Sequence, residues 1–221
     1  MPRGLDWAGL GPDRAWARQA FAEILLSYQT EEEARAAMPH SFSTSQWVPF
    51  PVELAFAFFA NPANLPHLMP KWQRAKIESS RLIAPPARPV ALDPALRFHS
   101  PAAGTGSEMV ISFRPVPGIG FRIGWLARIT EFVWNSHFCD EQLKGPFASW
   151  KHCHHIGSET RDGVTGTRIR DEVEYSLPMS PLGTLGYGLL VRRQIEKTFA
   201  YRQQELERIL PIAARQATRR S

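Results

Sequence analysis

The 221-residue chain has only two cysteines, Cys139 and Cys153. Two cysteines build no disulfide framework, and both read as free thiols. Long apolar runs are missing too, since no stretch approaches the ~20 residues that a membrane helix needs. The opening segment, MPRGLDWAGLGPDRAWARQAF, lacks the uninterrupted apolar stretch of a secretory signal, so a cytoplasmic protein without integral membrane contact is expected. Nucleic-acid signatures are also absent: there is no helix-turn-helix pattern, no zinc-finger spacing and no aromatic RNA-binding motif. The net charge of +5 sits partly in the tail ARQATRRS, which reads as a solvated end and not as a nucleic-acid site. No G-x-S-x-G elbow marks a serine nucleophile, and PVPGIGF reads as a turn between strands, not as a phosphate cradle.

What is present is a globular composition, with 43% hydrophobic residues. Residues 13–37 read as a helix with a rough apolar stripe of Trp16, Phe21, Ile24, Leu25 and Tyr28. The character then changes abruptly, and a complete domain could begin at Met38. MPHSFSTSQWVPF alternates polar and apolar residues and reads as a first strand. PVELAFAFFA reads as a short apolar helix, broken at Asn61-Pro62 and followed by a second short turn, ANLPHLM. KWQRAKIESSR reads as a strand. The Pro- and Ala-rich segment 82–106 reads as a long loop, of the kind that serves as a lid or binding loop.

From Ser107 onward the pattern is strands joined by short turns, which predicts an antiparallel meander. Met109, Ile111 and Phe113 share one face, as do Phe121, Ile123, Trp125, Ala127 and Ile129. The last segment carries the longest helical pattern. Its Leu185, Leu189, Ile195, Phe199, Leu206 and Leu210 fall on one side at about 100° per residue. The fold class expected is α+β: a curved antiparallel seven-stranded sheet wrapped around a long C-terminal helix, with two short helices after the first strand. The expected division is an N-terminal helical extension (1–37), the domain (38–212) and a basic tail (213–221).

The motifs PFPVELAFAFFANPANLPHLMP, FCDEQLKGPFASWKHCHHI, GTRIRDEVEYSLP and FAYRQQEL, in this order, resemble the START-like superfamily, also called SRPBCC, with its helix-grip fold. The resemblance spans roughly residues 42–210. It is similar in particular to bacterial ligand-binding SRPBCC proteins related to polyketide cyclase/dehydrase domains. It implies a cavity for a lipid, a polyketide or another apolar small molecule, and it implies no particular reaction.

GPFASWKHCHHI crowds three histidines and a cysteine into twelve residues, which looks like a metal site or a catalytic centre. Strand alternation divides the crowd. Trp150, His152 and His154 share one face, whereas Lys151, Cys153 and His155 share the other. In GTRIRDEVEYSL the outer face holds Arg168, Arg170, Glu172 and Glu174, which puts Asp171 inward beside Ile169, Val173 and Tyr175. A lone buried carboxylate costs several kcal/mol, so Asp171 needs a partner. If the connection between the two strands is a symmetric loop, Ile156 opposes Thr167, His154 opposes Ile169, His152 opposes Asp171 and Trp150 opposes Val173. The preceding turn would place Phe138, Asp140 and Gln142 beside His152, Trp150 and Ala148.

Three chemistries follow. A two-His, one-carboxylate set of His152, His154 and Asp171 could bind iron or zinc, but paired inward histidines more often form a hydrogen-bonding network. Neither a metal nor any other cofactor is therefore expected. His152 oriented by Asp171 is the arrangement of a general base, and these two are the candidate catalytic residues of a cyclase/dehydrase-type enzyme. The leading reading is binding of an apolar small molecule. Phe113, Trp125 and Phe199 would form apolar walls, while Asp140, Trp150, His152, His154, Asp171 and Arg192 would meet the ligand's polar groups. Arg192 also lies four residues from Glu196 and can pair with it in solvent. An interaction module with a filled core is the remaining alternative.

Overall fold

The computed structural model describes residues 39–90, 100–115, 120–178 and 184–218, and side chains within these ranges except those of 184–187 and 218. The helix expected over 13–37 lies outside the described residues. Seven antiparallel strands form one sheet: β1 (His40–Val48), β2 (Lys76–Arg81), β3 (Glu108–Phe113), β4 (Ile123–Val133), β5 (His137–Lys144), β6 (Ser149–Arg161) and β7 (Val164–Ser176). Their order across the sheet is β1-β7-β6-β5-β4-β3-β2, so the chain's first strand closes against its last. Helix α1 (Val52–Ala60) and the single turn α2 (Leu65–Leu68) follow β1, and α3 (Thr184–Thr218) ends the described chain. The curved sheet with its long C-terminal helix is the expected α+β helix-grip architecture.

Local chemistry explains these elements. Helix α1 is apolar on nearly every side, and residues Leu54 through Ala60 are all buried. Such a helix is stable only inside a core. Its Phe56 is fully enclosed, with the Phe132 and Phe138 rings edge-on at 5.4 and 5.9 Å. The helix stops at Asn61, whose side chain accepts a hydrogen bond from the Ala63 N–H at 3.1 Å as Pro62 begins the next turn. On α3 the core-facing stripe is Ile195, Phe199, Leu206 and Leu210, each under 9% exposed. Leu189 does not join them, being 53% exposed. The helix also runs on to Thr218 with Ala217 buried, so the segment from 213, expected as a tail, is helical through Thr218.

The hairpin between β6 and β7 sets the register of the whole site. Its turn is Asp162-Gly163, with φ of 50° and 77°. Two central residues with positive φ make the type I′ turn that matches the twist of antiparallel strands, and Asp-Gly is a favoured pair for it. Centring the hairpin on these two residues pairs Arg161 with Val164, Ile156 with Ile169, His154 with Asp171, His152 with Val173 and Trp150 with Tyr175. The expected register is therefore wrong by two residues. The β5–β6 register is shifted by the same amount: Asp140 opposes His152 and Phe138 opposes His154. Gln142 does not lie opposite β6 but closes the turn, donating from Nε2 to the Phe147 carbonyl at 2.8 Å. Because a shift of two keeps every side chain on its own face, the division into inward and outward residues is as expected.

One consequence of the true register is a bond. Cys139 stands directly opposite Cys153, and the two form a disulfide across β5 and β6. The expectation of two free thiols is not met.

Candidate functional site

The site lies where β5, β6 and β7 face α3. Asp140, His152, His154 and Asp171 point inward from three adjacent strands, and Arg202 reaches them from the helix. His152, His154, Asp171 and Arg202 are all under 9% exposed, and Asp140 is partly covered. Around them stand the rings of Phe59, Phe138 and Phe199. Phe138 stacks on His154 at 4.3 Å, Phe199 meets His152 edge-on at 5.3 Å, and the Arg202 guanidinium lies 4.6 Å from the Phe59 ring centroid. This is a charged cluster in an apolar shell.

Asp171 is its hub. One carboxylate oxygen, Oδ1, lies 2.7 Å from His154 Nδ1, 3.2 Å from His152 Nε2 and 3.3 Å from Arg202 Nη2. His154 Nδ1 is also 2.9 Å from Arg202 Nη2. A nitrogen cannot donate to one neighbour and accept from the other through the same position. Arg202 can only donate and ionised Asp171 can only accept, so the Arg202 contact needs the Nδ1 lone pair and the Asp171 contact needs an Nδ1 proton. His152 Nε2 faces the carboxylate oxygen and donates to it. The expected His152–Asp171 contact thus exists, but as a diagonal, while the directly opposed residue is His154.

His152 Nδ1 and His154 Nε2 both face Asp140, with Oδ2 at 3.6 and 3.9 Å respectively. The charges follow their surroundings. Burial alone would raise the Asp171 pKa, but Arg202 and the hydrogen bonds from both histidines outweigh it and hold the carboxyl well below the usual range. Burial, helped by His152 and Arg202, pushes the His154 pKa well below that of a free imidazole, so His154 is neutral. Burial raises the Asp140 carboxyl, against the opposing pull of His152 and Arg202. Burial lowers the Arg202 pKa while Asp171 and Asp140 act in the other direction.

The remaining expected residues divide cleanly. Trp150 borders the cluster, 6.3 Å from His152 between ring centroids, and continues into Trp125 at 5.0 Å. Phe113 adjoins Trp125 at 6.0 Å. Arg192 stays away: its side chain is 65% exposed and pairs with Glu196 at 3.1 Å, as solvated i,i+4 residues do. Arg202 takes the place in the cluster expected for Arg192. It was findable, because it follows Phe199 by three residues and precedes Leu206 by four, on the buried stripe. Phe59 and Phe138 were also missed as parts of the site.

A concavity of about 310 Å³ lies on the opposite face of the sheet, lined by Glu131, His137, Lys151, His155, Glu172, Glu174 and the two cysteines. Its polar groups already serve one another, with Lys151 2.9 Å from Glu131 and His155 3.0 Å from Glu172.

No protein-family model matches the chain, and no curated protein does. Solved structures do. The Zhui aromatase/cyclase from Streptomyces sp. R1128 matches with a TM-score of 0.53 at 13% identity, over 80% of this chain and 95% of that one. TTHA0849 from Thermus thermophilus matches with a TM-score of 0.50 at 15% identity, over 79% of this chain and 99% of that one. Identities this low speak for the fold alone. Element order, sheet topology and these likenesses agree on one fold, the helix grip: a curved antiparallel sheet wrapped around a long C-terminal helix.

Proposed function

We propose that the protein binds a small molecule with an apolar body and a polar end, lodged between the sheet and α3. The observation that carries this reading is an aromatic wall that runs directly into the buried polar cluster. Phe113, Trp125, Phe147 and Trp150 touch one another through ring contacts of 4.8 to 6.0 Å, yet all four remain only partly covered. Large rings left half-covered beside buried histidines resemble the usual small-molecule site, which has an apolar lining and a few convergent polar groups. The ligand class is lipid-like or polyketide-like. The aromatase/cyclase of similar fold supports the second of these.

The polar end would meet His152, His154 and the Asp140 carboxyl, which favours a ligand bearing hydroxyl or phenol groups. Titration with a fluorescent apolar probe such as anilinonaphthalene sulfonate, followed by its displacement with fatty acids and with polyhydroxylated aromatics, tests the reading. Saturable one-to-one binding displaced by one of these classes supports it. A probe that does not saturate removes it.

A second reading is a cyclase/dehydrase-type enzyme in which His152 is the general base and Asp171 orients it. The feature in its favour is that a proton held toward Asp171 leaves His152 Nδ1 free to accept another. Turnover lost in a His152→Ala variant that still binds the ligand would select this reading. Among the described residues no helix is long and apolar enough to cross a membrane. A cytoplasmic site of action goes with a reduced Cys139–Cys153 pair in the cell, and an oxidising compartment with the disulfide.

A further inference from the structure

We propose that Asp140, His152 and His154 bind one divalent transition-metal ion. The three donor atoms, Asp140 Oδ2, His152 Nδ1 and His154 Nε2, all lie within 4.8 Å of one another. Two of their separations are 3.6 and 3.9 Å. Donors about 2.0–2.1 Å from a tetrahedral ion stand roughly 3.3–3.4 Å apart, so small side-chain rotations close the gap. Strand geometry makes the convergence robust: His152 and His154 are two apart on one strand, and Asp140 is directly opposite His152 on the next.

The orientation of the rings is what distinguishes this cluster from an ordinary hydrogen-bond network. His152 donates to Asp171 Oδ1 through Nε2, and His154 Nδ1 is held between Asp171 Oδ1 and Arg202 Nη2, which aims the other nitrogen of each ring at Asp140. A carboxylate that fixes the tautomer and ring angle of metal-binding histidines is the usual outer partner of such sites. Among the described residues, nothing donates a hydrogen bond to Asp140. A proton on Asp140 would serve one of the two nitrogens, whereas a cation serves all three atoms at once. Arg202, 3.3 Å from Asp171, already balances the outer carboxylate, so the charge of the ion falls on Asp140 and on whatever else it binds.

The carboxylate ligand is thus Asp140, not the Asp171 considered from sequence, which lies on the far side of both rings. The cysteines face the other side of the sheet and cannot contribute. Two imidazoles and one carboxylate suit zinc or ferrous iron, and three protein donors leave at least one position open. That position adjoins Trp150 and Phe199 and would accept water or an oxygen of a bound small molecule. The site stands on its own geometry and holds whether or not the apolar-ligand reading does.

The test uses the full chain, stripped with a chelator and titrated separately with Zn²⁺ and Co²⁺ by calorimetry and visible absorption. One equivalent is expected to bind, with Co²⁺ giving the intense d–d bands of a four- or five-coordinate N/O site. Asp140→Asn and His154→Gln, each first shown by circular dichroism to be folded, are expected to lose binding. Asp171→Asn is expected to weaken it about 10–100-fold. A His137→Ala/His155→Ala variant, altered only on the outer face, is expected to bind as the parent does. Absence of Zn²⁺ and Co²⁺ binding to the folded parent chain overturns the proposal without recourse to any variant. So does binding that survives Asp140→Asn but disappears in the outer-face variant.

Discussion

Asp171 and Arg202 meet inside the protein, one from the seventh strand and one from the last helix, with Arg202 Nη2 3.3 Å from Asp171 Oδ1. Both are almost fully buried, at 5% and 8% exposure. The pair joins sheet to helix through charge, with the Phe59 and Phe199 rings beside it. A buried ion pair is costly to form and costly to break, because removing either member strands the other charge.

Arg202→Met keeps the length of the side chain and removes the charge. Chemical denaturation is expected to show a loss of about 3–5 kcal/mol. The double variant Arg202→Met/Asp171→Asn is expected to recover a substantial part of it, a coupling read from the four-way cycle. Equal and additive losses would mean that the two residues do not depend on each other.

The disulfide makes a separate prediction. Purified without reductant and alkylated before unfolding, the protein is expected to gain no label at Cys139 or Cys153. The loop between them is 14 residues long, so reduction, or a Cys139→Ser/Cys153→Ser variant, should cost up to about 3 kcal/mol. For a domain of this size the melting temperature would then fall by roughly 6–12 °C. Full labelling of both sulfurs would contradict this arrangement.

The Asp162-Gly163 turn is testable in the same way. Gly163 has a φ of 77°, where a Cβ is disfavoured. Gly163→Ala is expected to cost about 1–2 kcal/mol in thermal or chemical unfolding. Since a Cβ there would meet no neighbouring atom within 4 Å, any loss reports backbone conformation and not a clash. An unchanged stability would argue against the positive φ on which the β6–β7 register depends.

That turn also shows where reading the sequence succeeded and where it stopped. Alternation along SWKHCHHI and TRIRDEVEYS was enough to put His152, His154 and Asp171 inward, because a strand has only two faces. Register is set by the few residues of the turn, and the Asp-Gly pair carried the signal that the symmetric-loop assumption passed over. The same two-residue error between β5 and β6 would place Cys139 opposite Lys151, which hid the disulfide, and would keep Asp140 away from His152. Arg202 was missed for another reason. A lone arginine on a helical stripe is ordinarily counted as solvated, and only the buried carboxylate opposite explains its place. Arg192 was weighed for the site because it shares a helical face with Leu189, and the structure leaves both in solvent.

Trp150 joins the aromatic wall to His152, so it should be felt in ligand binding before stability. Trp150→Ala is expected to weaken binding of the fluorescent apolar probe by about tenfold, equivalent to about 1.4 kcal/mol. Exposed Phe121, 57% accessible and outside the ring contacts of the wall, serves as the control. Equal effects from Trp150→Ala and Phe121→Ala would place the probe elsewhere.

The most direct test of the binding account is the mass of the protein isolated from its own host, recorded first under native and then under denaturing conditions. The account predicts a one-to-one adduct in the native spectrum, an apolar molecule with hydroxyl or phenol groups. It should be released on denaturation and be strongly depleted in the Trp150→Ala variant. A native mass equal to that of the bare chain, together with no saturable uptake of lipids or polyhydroxylated aromatics, would contradict it.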